Sequence, residues 1–121
     1  MSKKRVLVID DDPLILDLVR ILLEGEGHEV VALASGESAV EQARVLHPDL
    51  ILLDIVMRGT HGMEVLDALR QAMPEVPVVL LSGAVSQIDN MAAIARALGA
   101  RDFIEKPFDA QRLLAVVNDT V

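Results

Sequence analysis

Leu50-Ile51-Leu52-Leu53-Asp54 runs four apolar residues without interruption into a carboxylate. A continuous apolar stretch of this length, bounded by turn signals, reads as a strand buried on both faces of a parallel sheet. Asp54 then stands where the strand emerges. In open α/β sheets ligands collect outside the carboxyl ends of the strands, near the point where the strand order reverses, so an acid there is placed for chemistry. The competing reading is a residue that only opens a loop or caps the next turn.

Working outward, Arg5-Val6-Leu7-Val8-Ile9-Asp10 repeats the pattern, with Asp11 and Asp12 behind it. Asp12 is a candidate N-cap and Pro13 an N1 residue for a helix whose Leu14, Ile15, Leu18, Ile21 and Leu22 recur at helical spacing until Gly25 and Gly27. His28 to Leu33 predicts a second, weaker strand. Ser35 is the candidate cap of a helix through Ala39, Val40, Ala43 and Leu46, which Pro48 closes. Ile55 to His61 reads as a loop, followed by a helix carrying Val65, Leu66 and Leu69. Val76 to Leu81 forms a fourth strand that runs into Ser82-Gly83. A polar loop from Ala84 to Asp89 precedes a helix from Met91 to Leu98, with Gly99 at its C′ position. Asp102-Phe103-Ile104-Glu105 is a short last strand, Lys106-Pro107-Phe108 turns the chain, and Asp109 caps a final helix bearing Leu113, Leu114, Val116 and Val117. Five strands alternating with five helices predict a doubly wound parallel α/β sheet. The 121 residues suffice for one domain, taken as 1–121.

Composition narrows the function. A hydrophobic content of 52% suits a sheet buried on both faces. No apolar run approaches the roughly 18 residues needed to span a bilayer, so a soluble protein is expected, without membrane partners. The basic start Met1-Ser2-Lys3-Lys4-Arg5 is followed by too short an apolar segment for a secretory signal, which makes a cytoplasmic location the expectation. The absence of Cys excludes disulfides, thiolate catalysis and zinc–thiolate sites. A formal net charge of −8 argues against a nucleic-acid surface.

The strand ends carry the chemistry: Asp10 and Asp11 after the first, Asp54 after the third, Ser82 after the fourth, Lys106 after the fifth. In a parallel sheet these ends face the same way. Carboxylates gathered in one crevice repel unless a cation joins them, which implies an oxygen-only metal site. Mg2+ fits better than Ca2+, which wants a dedicated loop of oxygens that is not present. A carboxylate, a metal, a hydroxyl and an ammonium converging on one point are the parts for phosphoryl transfer. Asp54 would attack phosphorus, Mg2+ and Lys106 would neutralise the equatorial oxygens, and Ser82 would hydrogen-bond to one of them. His61, in the loop after Asp54, could approach the site but is read as a solvated loop residue, and His28 and His47 suggest no partner.

The series Val-Leu-Val-Ile-Asp10-Asp11-Asp12, Leu-Leu-Asp54, Gly62, Leu-Leu-Ser82-Gly83 and Phe103-Ile-Glu-Lys106-Pro107-Phe108 resembles the receiver domain of bacterial two-component response regulators, over nearly the whole chain. The resemblance implies a flavodoxin-like fold with strand order 2-1-3-4-5. It implies Asp54 as phosphoacceptor from a phosphohistidine of a sensor histidine kinase or histidine phosphotransfer protein. It further implies Asp11 as a direct Mg2+ ligand, Asp10 acting through water, and the Val56 carbonyl completing the protein's share of the site. Ser82 and Phe103 match the family's switch pair, Lys106 pairs with the phosphoryl group, and Pro107 matches a position usually preceded by a cis peptide. The output surface would be the fourth helix, fifth strand and fifth helix, acting on a downstream protein, an effector domain or a second copy in a homodimer. A single-domain regulator and the receiver of a longer one are both open.

Departures from the family pattern stand beside it. Arg58 replaces a common proline, and the stretch from Ser82 to Lys106 is longer than usual, which extends the loop 84–89. Val56 and Ala84 are apolar where polar residues could position an attacking water. Two other readings compete. One is a Mg-dependent haloacid-dehalogenase-like phosphatase, which Asp10-Asp11-Asp12 fits superficially but which leaves Asp54 idle. The other is a binding-only pseudo-receiver, against which Asp11, Asp54 and Lys106 argue. A phosphatase would turn over p-nitrophenyl phosphate repeatedly, whereas a receiver takes one equivalent from acetyl phosphate.

Overall fold

The apolar runs become strands of one parallel sheet because each has side chains to bury on both faces. A computed structural model describes residues 3–57, 60–83 and 91–120, with the backbone alone for residues 60, 61, 91 and 92. Within these residues the main sheet contains β1 (Arg5–Ile9), β2 (Glu29–Leu33) and β3 (Leu50–Asp54). Two further two-residue strands, β4 (Val56–Met57) and β5 (Thr60–His61), pair only with each other, and β6 (Val78–Ser82) and β7 (Asp102–Glu105) complete the sheet. The order is β2-β1-β3-β6-β7, all pairings parallel. Counting only the strands of that sheet, this is 2-1-3-4-5, the flavodoxin-like arrangement expected. The reversal of strand order lies between β1 and β3, whose carboxyl ends are brought level by the register Ile9↔Leu53.

The two-residue period of the strands sorts their side chains into two cores. Leu7, Ile9, Ile51, Leu53, Val78 and Leu80 face α2 (Ala39–Leu46), α3 (Gly62–Ala72) and α4 (Met91–Ala97), meeting Ala43, Leu66, Leu69 and Ala95. Val6, Val8, Leu50, Leu52, Val79 and Leu81 face α1 (Pro13–Gly25) and α5 (Ala110–Thr120), meeting Val19, Leu23, Leu113 and Val117. Every residue of β3 is buried, and burial contributes about 1.5–3 kcal/mol for each of its apolar side chains, Leu50 to Leu53. Among the described residues no helix is long and apolar enough to cross a membrane.

Caps at Asp12 and Asp109 are as expected: the Leu14 N–H donates to Asp12 Oδ1 at 2.9 Å and the Arg112 N–H to Asp109 Oδ1 at 2.8 Å. Gly99 adopts φ +97, the left-handed conformation of a C′ residue. Ser35 is a correction. Its hydroxyl accepts the Glu37 N–H at 3.3 Å in a turn, and the helix begins later, with Ser38 at the cap and no side-chain capping bond. Ser35, Gly36 and Ser38 lie within four residues here, and turn-forming residues so close together offer several starts between which local propensity does not choose. The region read as a plain loop after Asp54 contains the β4–β5 ladder, Val56↔His61 and Met57↔Thr60. Strands of two residues carry no periodic signal. Arg58 and the loop 84–89 lie outside the described residues.

Candidate functional site

Three strand ends and one turn build the site. Beyond β1 the Asp10 N–H donates to the Leu33 carbonyl at 3.0 Å, carrying the sheet one residue past the strand and holding Asp10 at 0% exposure. Asp54, the last residue of β3, is 3% exposed, and Ser82, the last of β6, is 1% exposed. After β7 the Lys106 N–H donates to the Ser82 carbonyl at 2.8 Å, and the peptide between Lys106 and Pro107 is cis.

The Lys106 ammonium reaches back across the sheet edge to both buried carboxylates. Its Nζ lies 2.6 Å from Asp10 Oδ2 and 3.2 Å from Asp54 Oδ2; the first is a charge contact off the axis of a hydrogen bond. The other oxygen of each acid is held by backbone, Asp10 Oδ1 by the Asp12 N–H and Asp54 Oδ1 by the Val56 N–H, both at 2.9 Å. Asp11, half-buried, completes a group in which one oxygen from each of Asp10, Asp11 and Asp54 lies within 4.8 Å of the others. An open groove lined by Asp11, Asp12, Pro13 and Ala34 adjoins it.

One ammonium among three carboxylates leaves an excess of negative charge. Burial pushes the Asp10 carboxyl above its usual range, with Asp54 adding repulsion, although Lys106 and the Asp12 N–H pull the other way. Burial also works against the Lys106 charge, but contacts to Asp10 and Asp54 outweigh it and raise the ammonium's pKa. Both partners therefore move up: the lysine has two acids to neutralise it, while Asp10 shares one cation and is more deeply buried.

The signs differ for stability. A raised carboxyl pKa means the folded state holds the proton more tightly than the unfolded chain. Ionised Asp10 therefore costs stability at neutral pH, and the cost fades as pH falls through its folded pKa. The Lys106 contribution is full below the ordinary lysine pKa and is lost as pH rises through its raised one. Asp10→Asn, with Lys106 still 3.2 Å from Asp54, is expected to raise stability without divalent metal. A urea midpoint below the wild type's would contradict this charge balance.

Phe103 is half-buried and packs on the core that contains Leu53 and Leu80. Its carbonyl accepts from Arg112 Nη2 at 2.9 Å, a tie between α5 and β7 that sequence reasoning misses, since nothing local marks two residues nine apart as partners. The Val56 side chain is 61% exposed. Of the histidines, His28 is buried with Nδ1 accepting the Lys4 N–H at 3.3 Å, and His47 ends α2 at φ 50. The side chain of His61 lies outside the described residues.

A five-stranded flavodoxin-like sheet with an acidic cluster and a lysine at its carboxyl edge defines an α/β domain of the receiver type. The family model described as response regulator receiver domain matches residues 6–118. Nitrogen assimilation regulatory protein NtrX of Azorhizobium caulinodans is 42% identical over 113 residues, covering 92% of this chain and 24% of that protein. DNA-binding response regulator MtrA of Mycolicibacterium smegmatis is 36% identical over 115 residues, 95% of this chain and 49% of the other. The crystal structure of the receiver domain of NtrX from Brucella abortus superposes with a TM-score of 0.86 at 40% identity, covering 95% of this chain and 96% of that one. The chain belongs to the response regulator receiver domain family of two-component systems, whose general role is phosphoacceptor signalling and not catalysis. It spans from about a quarter to about half the length of these two curated relatives, which are larger regulators.

Proposed function

We propose that Asp54 accepts a phosphoryl group from the phosphohistidine of a sensor histidine kinase or histidine phosphotransfer protein, with residues 1–121 acting as one cytoplasmic receiver. The observation that carries this reading is the Lys106 ammonium held between Asp10 and Asp54, with Asp11 close by, at one edge of the sheet. The donor set is oxygen-only and carries more negative charge than Lys106 neutralises, which fits Mg2+. Asp11, Asp54 and the Val56 carbonyl would hold the ion, with Asp10 acting through water. When bound, Mg2+ supplies neutralisation of the phosphoryl oxygens.

The chain's own groups do the rest. An Asp54 oxygen forms the new bond to phosphorus as the P–N bond to the donor imidazole breaks, leaving an acyl phosphate on Asp54 and the electron pair on the imidazole. Lys106 exchanges its contact with Asp54 for one with a phosphoryl oxygen, and Ser82 hydrogen-bonds to another. Phe103 moves with Ser82 as the switch pair, and Pro107 sets the turn that carries Lys106. The new charge biases this bistable pair and alters the surface of α4, β7 and α5 for a downstream protein, an effector domain or a second copy. The domain assists its own phosphorylation and dephosphorylation, without turnover of other substrates.

Mass spectrometry after incubation with acetyl phosphate and Mg2+ tests this directly, and suits a chain without Trp or Tyr. One phosphoryl group per chain is expected. Repeated turnover of p-nitrophenyl phosphate would favour the phosphatase reading, and no uptake the pseudo-receiver. Self-dephosphorylation is expected to be slow, because positioned acid–base help is worth roughly 10²–10⁴-fold and neither Val56 nor Ala84 can position a water. A phosphoryl lifetime of seconds in the purified protein would refute that expectation.

A further inference from the structure

At the opposite end of the sheet, below the amino end of β6, the chain gathers positive charge in spite of its net −8. Arg70, Arg96 and Arg101 line one open groove of about 230 Å³, in which Glu75 is the single acid among the described residues. None of the three arginines is ion-paired among the described residues. Arg70 and Arg96 lie in the last turns of α3 and α4, where each helix end carries about half a negative charge. Those two ends offset roughly one of the three positive charges and Glu75 another, so a positive excess remains.

The groove is also built. Gly99, at φ +97, has no side chain, and the Arg70 guanidinium lies over it; an added Cβ would stand 2.8 Å from Arg70 Nε. Arg70 Nη1 is directed to the Pro74 carbonyl at 3.4 Å, which leaves its remaining donors for a ligand. The Gly99 N–H bonds the Arg96 carbonyl at 3.0 Å and the Arg101 N–H bonds the Val78 carbonyl at 2.8 Å, so the backbone that presents the other two arginines is pinned.

We infer that this groove binds a small phosphate-bearing anion. Guanidinium forks match phosphate oxygens in pairs, which an ammonium cannot do. The volume is below the roughly 300–1,000 Å³ of sites for drug-sized ligands, which suits one or two phosphate groups and not a helix or an extended segment. The site is separate from Asp54: β6 alone puts five residues, about 3.3 Å each, between the two ends.

The test is a titration of the ¹⁵N-labelled protein with inorganic pyrophosphate, without Mg2+ and at constant ionic strength. Saturable amide shifts at Glu75, Gly99, Ala100 and Arg101 in the millimolar range or tighter are expected. The double variant Arg96→Glu/Arg101→Glu, at two exposed positions, is expected to weaken binding about tenfold or more, the scale of one lost charge-assisted hydrogen bond. Shifts that do not saturate, shifts confined to Asp10, Asp54 and Lys106, or an unchanged affinity in the double variant would overturn the inference. So would saturation of the same amides by a hexaglutamate peptide more tightly than by pyrophosphate, which would assign the groove to an acidic protein segment.

Discussion

Asp54→Asn is expected to reduce phosphoryl uptake from acetyl phosphate and Mg2+ from one equivalent to none detectable, a rate loss on the order of 10³-fold or more. The substitution is nearly isosteric, and an amide oxygen can still accept the Val56 N–H that Asp54 Oδ1 accepts at 2.9 Å. Lys106 keeps its 2.6 Å contact to Asp10. The variant should therefore fold, with one fewer buried charge in a crowded site, so lost uptake would report lost chemistry. What disappears is an anionic oxygen able to form a bond to phosphorus. Intact-mass measurement, with circular dichroism as the folding control, decides the outcome. Undiminished uptake would move the acceptor elsewhere and end the receiver mechanism proposed for this chain.

Gly62→Ala is expected to destabilise the fold by about 3 kcal/mol or more, a large part of the roughly 5–15 kcal/mol that holds a domain together. A Cβ at this position would lie 2.3 Å from Ile55 Cα, 2.5 Å from its carbonyl oxygen and 2.6 Å from its carbonyl carbon. These are backbone atoms, so no rotamer relieves the contact and the segment between Asp54 and α3 has to move. Val56 is in that segment, and its N–H positions Asp54 Oδ1, so phosphoryl uptake should slow as well. Gly25→Ala is the control: nothing lies within 4 Å of its added Cβ, and the exchange should be neutral or mildly stabilising. Denaturant midpoints for the two variants make the comparison. A Gly62→Ala midpoint equal to that of Gly25→Ala would show that the loop yields without cost.

The strands were legible because burial on both faces leaves a local mark. Leu50 to Leu53 can be uninterrupted only where both sides are covered. The caps at Asp12 and Asp109 were legible because a short acid before a helix bonds within its own first turn. Ser35 failed as a cap for the complementary reason: Ser35 and Ser38, three residues apart, satisfy the same local rule, and packing of Ala39 and Ala43 on the sheet decides where the helix starts. Strand ends brought Asp10, Asp11, Asp54, Ser82 and Lys106 into consideration, since a parallel sheet aligns its carboxyl edges whatever the residue types.

What the residues determined unaided is the periodicity, and through it the elements, their alternation and the edge at which acids and a lysine arrive. Tertiary structure alone decided which of them touch. Lys106 meets Asp54 across 52 residues of chain and meets Asp10 across the β1–β3–β6–β7 order of the sheet. The tie from Arg112 to Phe103, the close approach of Gly62 to Ile55 and the convergence of Arg70, Arg96 and Arg101 belong to the same class. The physical reason is range: hydrophobic patterning acts through neighbours along the chain, whereas charge contacts and steric exclusion act through space and exist only once the sheet has closed.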